Sequence, residues 1–167
     1  MQRQPDTVDE QPRVVVAAAI VDDLDRPRTL LAARRSAPPS LAGRWEFPGG
    51  KMEPGESALA ALDRELNEEL GISAAYGPEI VASHSPSGWP LTVTDAGRSL
   101  VMRLWLARVC QGELTPREDH DELRAIDIRR WRELDWLPGD RPALAVLQRR
   151  CGMGFAPDQS PRGRPRR

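Results

Sequence analysis

GKMEPGESALAALDRELNEELGI, from Gly50 to Ile72, is the stretch on which the reading of this 167-residue chain turns. Its second half, Ser57 to Leu70, lacks Gly and Pro and is rich in Ala, Leu and Glu, which predicts a helix. Leu59, Leu62, Leu66 and Leu70 recur at helical spacing and form an expected apolar face. Gly71 follows as a residue suited to ending the helix in a left-handed conformation.

The opposite side of that helix is acidic. At 3.6 residues per turn, Glu68 and Glu69 lie roughly 60° to one side and 40° to the other of Glu65. The three carboxylates therefore share one side. Like charges at this spacing repel by a few tenths of a kcal/mol per pair, and the negative end of the helix disfavours them further. Packing has no use for them. A hard divalent cation reverses the sign of the arrangement, and carboxylates plus a backbone carbonyl from the Gly49-Gly50 bend suit Mg²⁺ or Mn²⁺. The bland alternative is a solvated acidic face.

Outward from this segment, Arg13 to Val21 is a β-branched and Ala run that fits a buried strand. Thr29 to Arg34 reads as the strand returning from it in a hairpin. Arg44 to Phe47 is a short strand stopped by Pro48. Further strands are expected near Glu79 to Ser83, at Ser99 to Val109 and at Arg124 to Ile128, with a loose loop from Ser85 to Gly97. Arg129 to Leu134 and Arg141 to Arg150 look helical. Alternating strands and helices point to an α/β sandwich over a mixed sheet.

The ends are different. Residues 1–12 read as a disordered N-terminal segment, 13–150 as the folded domain, and 151–167 as a flexible Arg/Pro-rich tail. Arg149, Arg150, Arg162, Arg164, Arg166 and Arg167 stand against Asp158 in the last nineteen residues. A solvated terminus is the preferred reading over a weak phosphate-attracting arm. The net charge of -1 gives no general affinity for polyanions, so no nucleic-acid partner is expected. The longest apolar run, Val14 to Val21, is too short to span a membrane, and the N-terminus has no apolar core of a secretory signal. Cys110 and Cys151 lie far apart, which argues against a disulfide framework and for a reducing cytoplasm. Lys51 is the single lysine among 24 basic residues, a hint of a site that wants a compact ammonium.

The segment also fits a pattern. A Gly, five residues, Glu, seven residues, Arg-Glu, an apolar residue, one residue, Glu-Glu, one residue, Gly and an apolar residue run from Gly50 to Ile72, with Leu66 and Ile72 at the apolar positions. A chance match somewhere in the chain is on the order of 10⁻⁷. The segment resembles the Nudix box at full length, and the likeness spreads from about Val14 to Leu147. The resemblance implies a Nudix fold, an α/β/α sandwich with a mixed β-sheet. It also implies a Mg²⁺-dependent (or Mn²⁺-dependent) pyrophosphohydrolase, monomeric or homodimeric.

By the same resemblance Gly49, Glu65, Glu68 and Glu69 are the expected metal ligands. Glu65 is also a candidate base, Arg64 braces the carboxylates, and Glu56 is an accessory ligand or base. Asp119 falls where related enzymes carry an acidic residue on a distal loop, with Glu118 and Glu122 as alternatives. The run Arg44 to Lys51, RWEFPGGK, resembles the MutT branch, which hydrolyses nucleoside triphosphates to monophosphate and pyrophosphate.

That branch makes Phe47 a nucleobase contact, against a reading as core. It makes Arg35 and Lys51 phosphate contacts, and Arg98 a further candidate for the same pocket. Asp140 stands where 8-oxo-guanine-specific members carry Asn. An ionised Asp accepts hydrogen bonds only, which suits cytosine N4-H₂, and the Pro138-Gly139-Asp140 stretch resembles the CTP and dCTP pyrophosphohydrolases. Its bland role is a helix N-cap. The expected substrate is (d)CTP or a modified cytosine nucleotide. 8-oxo-dGTP or 2-hydroxy-dATP come next, then ADP-ribose or a sugar nucleotide. A non-catalytic sensor or RNA-binding module stands last, because such proteins lose box carboxylates and this box is intact.

Overall fold

The computed structural model describes residues 11–95 and 97–151. The expectations placed on residues 1–10 and 152–167, including most of the Arg-biased tail, lie outside the described residues.

The first strand explains the architecture. β1 (Arg13–Ile20) shows no polar alternation because both of its faces are covered. Val16, Ala18 and Ile20 pack with Leu62, Leu66 and Leu70 on one side of the sheet. Ala17 and Ala19 pack with Leu30, Trp136, Leu144 and Leu147 on the other. The chain is thus an α/β/α sandwich, as the resemblance implies.

The chain continues through β2 (Thr29–Arg35), β3 (Trp45–Glu46), β4 (Gly49–Lys51) and α1 (Ala58–Leu70). After these come β5 (Ser73–Glu79), β6 (Trp89–Asp95), β7 (Arg98–Gln111) and β8 (His120–Asp127). A 3-10 turn at Ile128–Glu133 and α2 (Arg141–Arg150) complete it. One mixed sheet has the order β4-β1-β7-β5, and β6 pairs with the first half of β7. β1 and β7 run parallel; the other pairs are antiparallel. A second, antiparallel sheet has the order β3-β2-β8.

α1 follows its sequence closely. The Ser57 hydroxyl accepts from the Ala60 N–H at 3.2 Å and caps the start. Gly71 ends the helix at φ +71°, donating to the Asn67 and Leu66 carbonyls. Leu62, Leu66 and Leu70 are fully buried, each burial contributing at most about 2–3 kcal/mol. Leu59, expected on the same apolar face, is exposed. It lies a further turn towards the helix start, off the sheet.

Three expectations need correction. β1 and β2 do not form a hairpin; they join different sheets and meet at one bridge, Val21 to Leu30. The Asp22 carboxylate accepts from the Arg28 and Thr29 N–H groups, and this turn sends β2 away from its predecessor. The strand expected near Glu79 to Ser83 is the earlier Ser73–Glu79. Gly77 there lets the strand lie tight against Leu106, and the register shifts between Tyr76 and Glu79. The expected loop from Ser85 to Gly97 contains β6, which pairs with an extended β7.

Candidate active site

Gly49 and Gly50 bring β4 between β1 and α1 with no side chain in the way. Gly49 sits at φ +151°, and a Cβ there would strike the Val16 carbonyl. A Cβ on Gly50 would strike the Glu65 carboxyl group. The two glycines therefore allow the bend to lie directly on the acidic side of α1. The Gly49 N–H donates to Glu69 Oε2 at 3.0 Å.

Arg64 gathers the neighbouring carboxylates. Its Nε and Nη2 donate to the two oxygens of Glu56 at 2.8 and 3.0 Å. Its Nη1 donates to Glu65 Oε1 at 2.8 Å and reaches Glu68 Oε2 at 3.5 Å, while Nη2 also donates to the Lys51 carbonyl at 3.2 Å. The fork holds Glu56 down at about 2, helped by the Glu53 N–H. Glu56 is therefore a fully ionised anchor for Arg64 and a weak base. Glu65 goes the other way. Burial raises it, with Glu68 and Glu118 adding to the rise, against the pull of Arg64.

Glu69 is buried, and burial pushes its carboxyl up to about 8. Glu46 and Glu65 push the same way, while His120 and the Gly49 N–H pull it down. A carboxylate this uncomfortable is one that a cation would relieve. Among the described residues, no three acidic, His or Cys side chains converge as a ready metal cage. The carboxylates are instead spread around Arg64 and the Gly49 N–H. The donor set still fits a hard divalent ion: carboxylate oxygens on one helix side, one of them buried and disfavoured as an anion, beside a glycine cradle that a Cβ would fill.

The three acidic candidates of the distal loop lie in different surroundings. Asp119 is well exposed and lies 3.6 Å from Arg35. Glu122 pairs with Arg34 and Arg124. Glu118 is the one whose charge is felt at Glu65, and it sits at φ +53°, a conformation that turns it out of the regular chain path. Glu118 is thus the distal acidic residue nearest the ridge electrostatically.

Beside the ridge opens a cavity of about 730 Å³, within the usual range for a small-molecule site. Arg35, Phe47, Lys51 and Asp140 all line it, as do Glu46 and Gly49. Arg98 does not. Strand alternation puts it on the same face as Leu100 and Met102, which do line the cavity, but past the rim, where it donates to the Gln11 carbonyl at 3.1 Å.

Phe47 belongs both to the core and to the cavity wall. It is buried against Trp136, with ring centroids 5.4 Å apart, and it also lines the cavity. Asp140 occupies the N-cap position of α2, yet its side chain makes no cap hydrogen bond. Its Oδ2 accepts from the Phe47 N–H at 3.0 Å instead. Burial, then the charge of Glu46, pushes the Asp140 carboxyl up to about 8. Burial therefore works against the ionised, acceptor-only form. It favours the carboxylic acid, which donates as well as accepts.

Two residues that sequence reasoning passed over complete the site. Glu46 Oε1 accepts from Arg35 Nη1 at 2.8 Å and lies 2.9 Å from His120 Nε2. The His120 ring is sealed from solvent, and its Nδ1 stands 3.9 Å from Glu69 Oε1. Burial alone would lower the His120 pKa, but the Glu46 hydrogen bond and the Glu69 charge carry it above its ordinary value. Glu46 lay inside the RWEFPGGK run, and His120 is one of two histidines in the chain. Nothing local to either residue reveals the contact, which β2–β8 pairing creates by setting Arg35 opposite His120.

Comparison with known proteins agrees with this geometry. The NUDIX domain family profile matches residues 11–151, and the chain belongs to that family. Two curated relatives are similar to it over most of their length. A Mycobacterium tuberculosis protein with the provisional name 8-oxo-dGTP diphosphatase 2 is 39% identical over 137 residues, covering 82% of this chain and 89% of that protein. The CTP pyrophosphohydrolase of Escherichia coli is 38% identical over 134 residues, covering 80% and 90%. Among solved structures, the MutT NUDIX hydrolase of Burkholderia pseudomallei aligns with a TM-score of 0.62 at 30% identity, covering 81% of this chain and 98% of that one. The chain is a Nudix nucleotide diphosphatase of MutT type. The family generally works with a divalent metal ion. Among the described residues, no helix is long and apolar enough to cross a membrane.

Proposed function

We propose that this protein hydrolyses a nucleoside triphosphate to its monophosphate and pyrophosphate with Mg²⁺, and that (d)CTP or a modified cytosine nucleotide is its preferred substrate. The observation that carries the nucleoside triphosphate reading is the placement of Asp140 in the cavity wall beside the Glu65–Glu69 ridge, and the likeness to the CTP pyrophosphohydrolase supports cytosine. Base recognition and phosphate chemistry then share one opening.

The base meets Asp140. With Oδ2 engaged by the Phe47 N–H, the neutral acid offers one donor beside one acceptor. Cytosine presents the complement, N4–H next to N3. Phe47 and the apolar side chains of Leu91 and Met102 supply surface for the ring. Arg35 and Lys51, at the cavity wall, hold the non-bridging phosphate oxygens. Water attacks phosphorus in line, the bridging P–O bond breaks, and pyrophosphate leaves. Glu65 accepts the proton of the attacking water; its carboxyl is raised above the ordinary range and suits this work better than Glu56. Arg64 keeps Glu65 and Glu68 oriented. A Mg²⁺ or Mn²⁺ ion, held by Glu65, Glu68, Glu69 and the Gly49 carbonyl, would neutralise phosphate charge and acidify the water. Glu118 is an added acidic contributor to that set.

A second reading has its own support. In 8-oxo-guanine, N7 carries a hydrogen beside the O6 acceptor, the same donor-next-to-acceptor edge that cytosine shows. A protonated Asp140, pushed up to about 8, fits either base. The free thiols of Cys110 and Cys151 go with a cytoplasmic setting. The deciding experiment measures initial rates on all common and oxidised (d)NTPs plus ADP-ribose, with products identified. The reading expects CTP or dCTP to lead in kcat/KM; a panel led by ADP-ribose or by a purine would displace it.

A further inference from the structure

We propose that His120 is a positioning residue that ties the base pocket to the acidic ridge, steadying Glu46 with one ring nitrogen and Glu69 with the other. The inference deepens the proposed hydrolase reading and rests on it.

Its basis is a row of polar groups through the protein interior, hydrogen-bonded except at one gap. Arg35 donates to Glu46 Oε1 at 2.8 Å, and the same oxygen lies 2.9 Å from His120 Nε2. Across the ring, Nδ1 faces Glu69 Oε1 at 3.9 Å, and Glu69 Oε2 accepts from the Gly49 N–H. The row begins at a cavity-lining arginine and ends at the glycine bend beside the ridge. The ring has no exposed surface, and Nδ1 is the buried side-chain polar atom left without a partner among the described residues. Packing alone asks for no such atom. A leucine or methionine would fill the space at no polar cost. A nitrogen sealed from water and aimed at a carboxylate is the form expected of an outer partner that orients a ligand.

The fold fixes the ring's place firmly. His120 opens β8 opposite Arg35, at the register shift that follows Arg34. Its N–H donates to the Arg117 carbonyl, while the adjoining Asp119 carbonyl accepts from the Ser36 N–H. The charged groups facing the ring from neighbouring elements are Glu46 on β3, Glu69 on α1 and Arg35 on β2. A shift of under an ångström towards Glu69 would bring Nδ1 into hydrogen-bond range, so a change at the ridge is passed to Glu46 and Arg35 through a rigid ring.

Two substitutions separate the arms. His120→Gln places an amide where Nε2 reaches Glu46, and His120→Asn places one where Nδ1 faces Glu69. Mn²⁺ affinity of the full chain is read from the free-ion EPR signal without nucleotide, alongside kcat and KM for CTP. His120→Gln should weaken Mn²⁺ binding about tenfold and lower kcat at limiting Mg²⁺, with kcat restored by excess Mg²⁺ and KM near wild type. His120→Asn should keep Mn²⁺ affinity and raise KM. Wild-type values of all three quantities in both variants would overturn the proposal while leaving the hydrolase reading intact. A wild-type protein that neither binds Mn²⁺ nor cleaves any nucleotide would overturn both. Should the variants fail to fold, the wild type answers alone. The His120 Nδ1 NMR resonance should move on Mg²⁺ titration, and a fixed resonance at saturation contradicts the role.

Discussion

Asp140 receives the backbone N–H of Phe47, 93 positions earlier in the chain, at 3.0 Å in a buried contact. This bond joins the start of α2 to the strand run that leads into Gly49 and Gly50. A side chain of the cavity wall is thereby fixed to the backbone that shapes the acidic ridge. It also sets what Asp140 can do, since one of its oxygens is already occupied.

The protonation of Asp140 should appear in the pH profile of substrate capture. Its carboxyl is pushed up to about 8, so the donor needed at the base edge is lost as pH rises through 8. Wild-type kcat/KM for CTP should fall there, mainly through KM. Asp140→Asn carries a permanent donor and acceptor, and its KM should stay flat across the same range. Identical profiles for the two proteins would remove Asp140 from base recognition.

Stability should carry the same signature with a definite sign. The folded pKa of Asp140, about 8, lies above the ordinary 3.8. Between those values the unfolded chain releases the proton and the folded one keeps it, so this group's contribution to stability falls as pH rises from about 4 to 8. Asp140→Asn removes that loss and keeps an acceptor for Phe47. Its stability relative to wild type should grow across this window, by on the order of 1 kcal/mol or more near pH 8, with a matching rise in relative Tm. Thermal melts at pH 5 and pH 8 check this; a constant difference would contradict the buried, protonated carboxyl.

Glu69→Gln should separate function from stability. Turnover should drop about 100-fold or more through loss of a charged ligand. The metal-free protein should melt no lower than wild type at pH 8, because a buried carboxyl held near 8 is exchanged for a neutral amide that still accepts from Gly49. Parallel activity assays and melts with EDTA test the pair of outcomes. Near-wild-type turnover would refute the ligand role.

Gly50→Ala tests the cradle. The added methyl meets the Glu65 carboxyl, the end of a flexible side chain that can move aside. Folding should survive with a modest loss of about 1–2 kcal/mol, while kcat falls at least about tenfold because the ridge is displaced. A variant with full activity would show that the close approach of Gly50 to Glu65 does not matter.

Much of this was legible in the sequence, and for identifiable reasons. α1 announces itself through local chemistry: Ser57, the leucine spacing and Gly71 act within a few residues. The ridge was legible because Glu65, Glu68 and Glu69 share one helix. The sheet assignments were harder. β2 carries a strand signal, but its partner is chosen by the Asp22 turn and by β8, 85 to 98 residues later. β6 was hidden by Ser and Pro residues that read as loop, and only pairing with β7 makes it a strand. The protonation of Asp140 and the His120–Glu46 contact depend on burial and long-range register, which a residue list does not contain.

The central claim is that the ridge beside the Gly49–Gly50 bend drives metal-dependent cleavage of a nucleoside triphosphate. The most direct test is ³¹P NMR of CTP incubated with the protein and Mg²⁺. The account predicts resonances of CMP and pyrophosphate, and none of either when EDTA replaces Mg²⁺. Intact CTP under every condition, or CDP with inorganic phosphate, would contradict it.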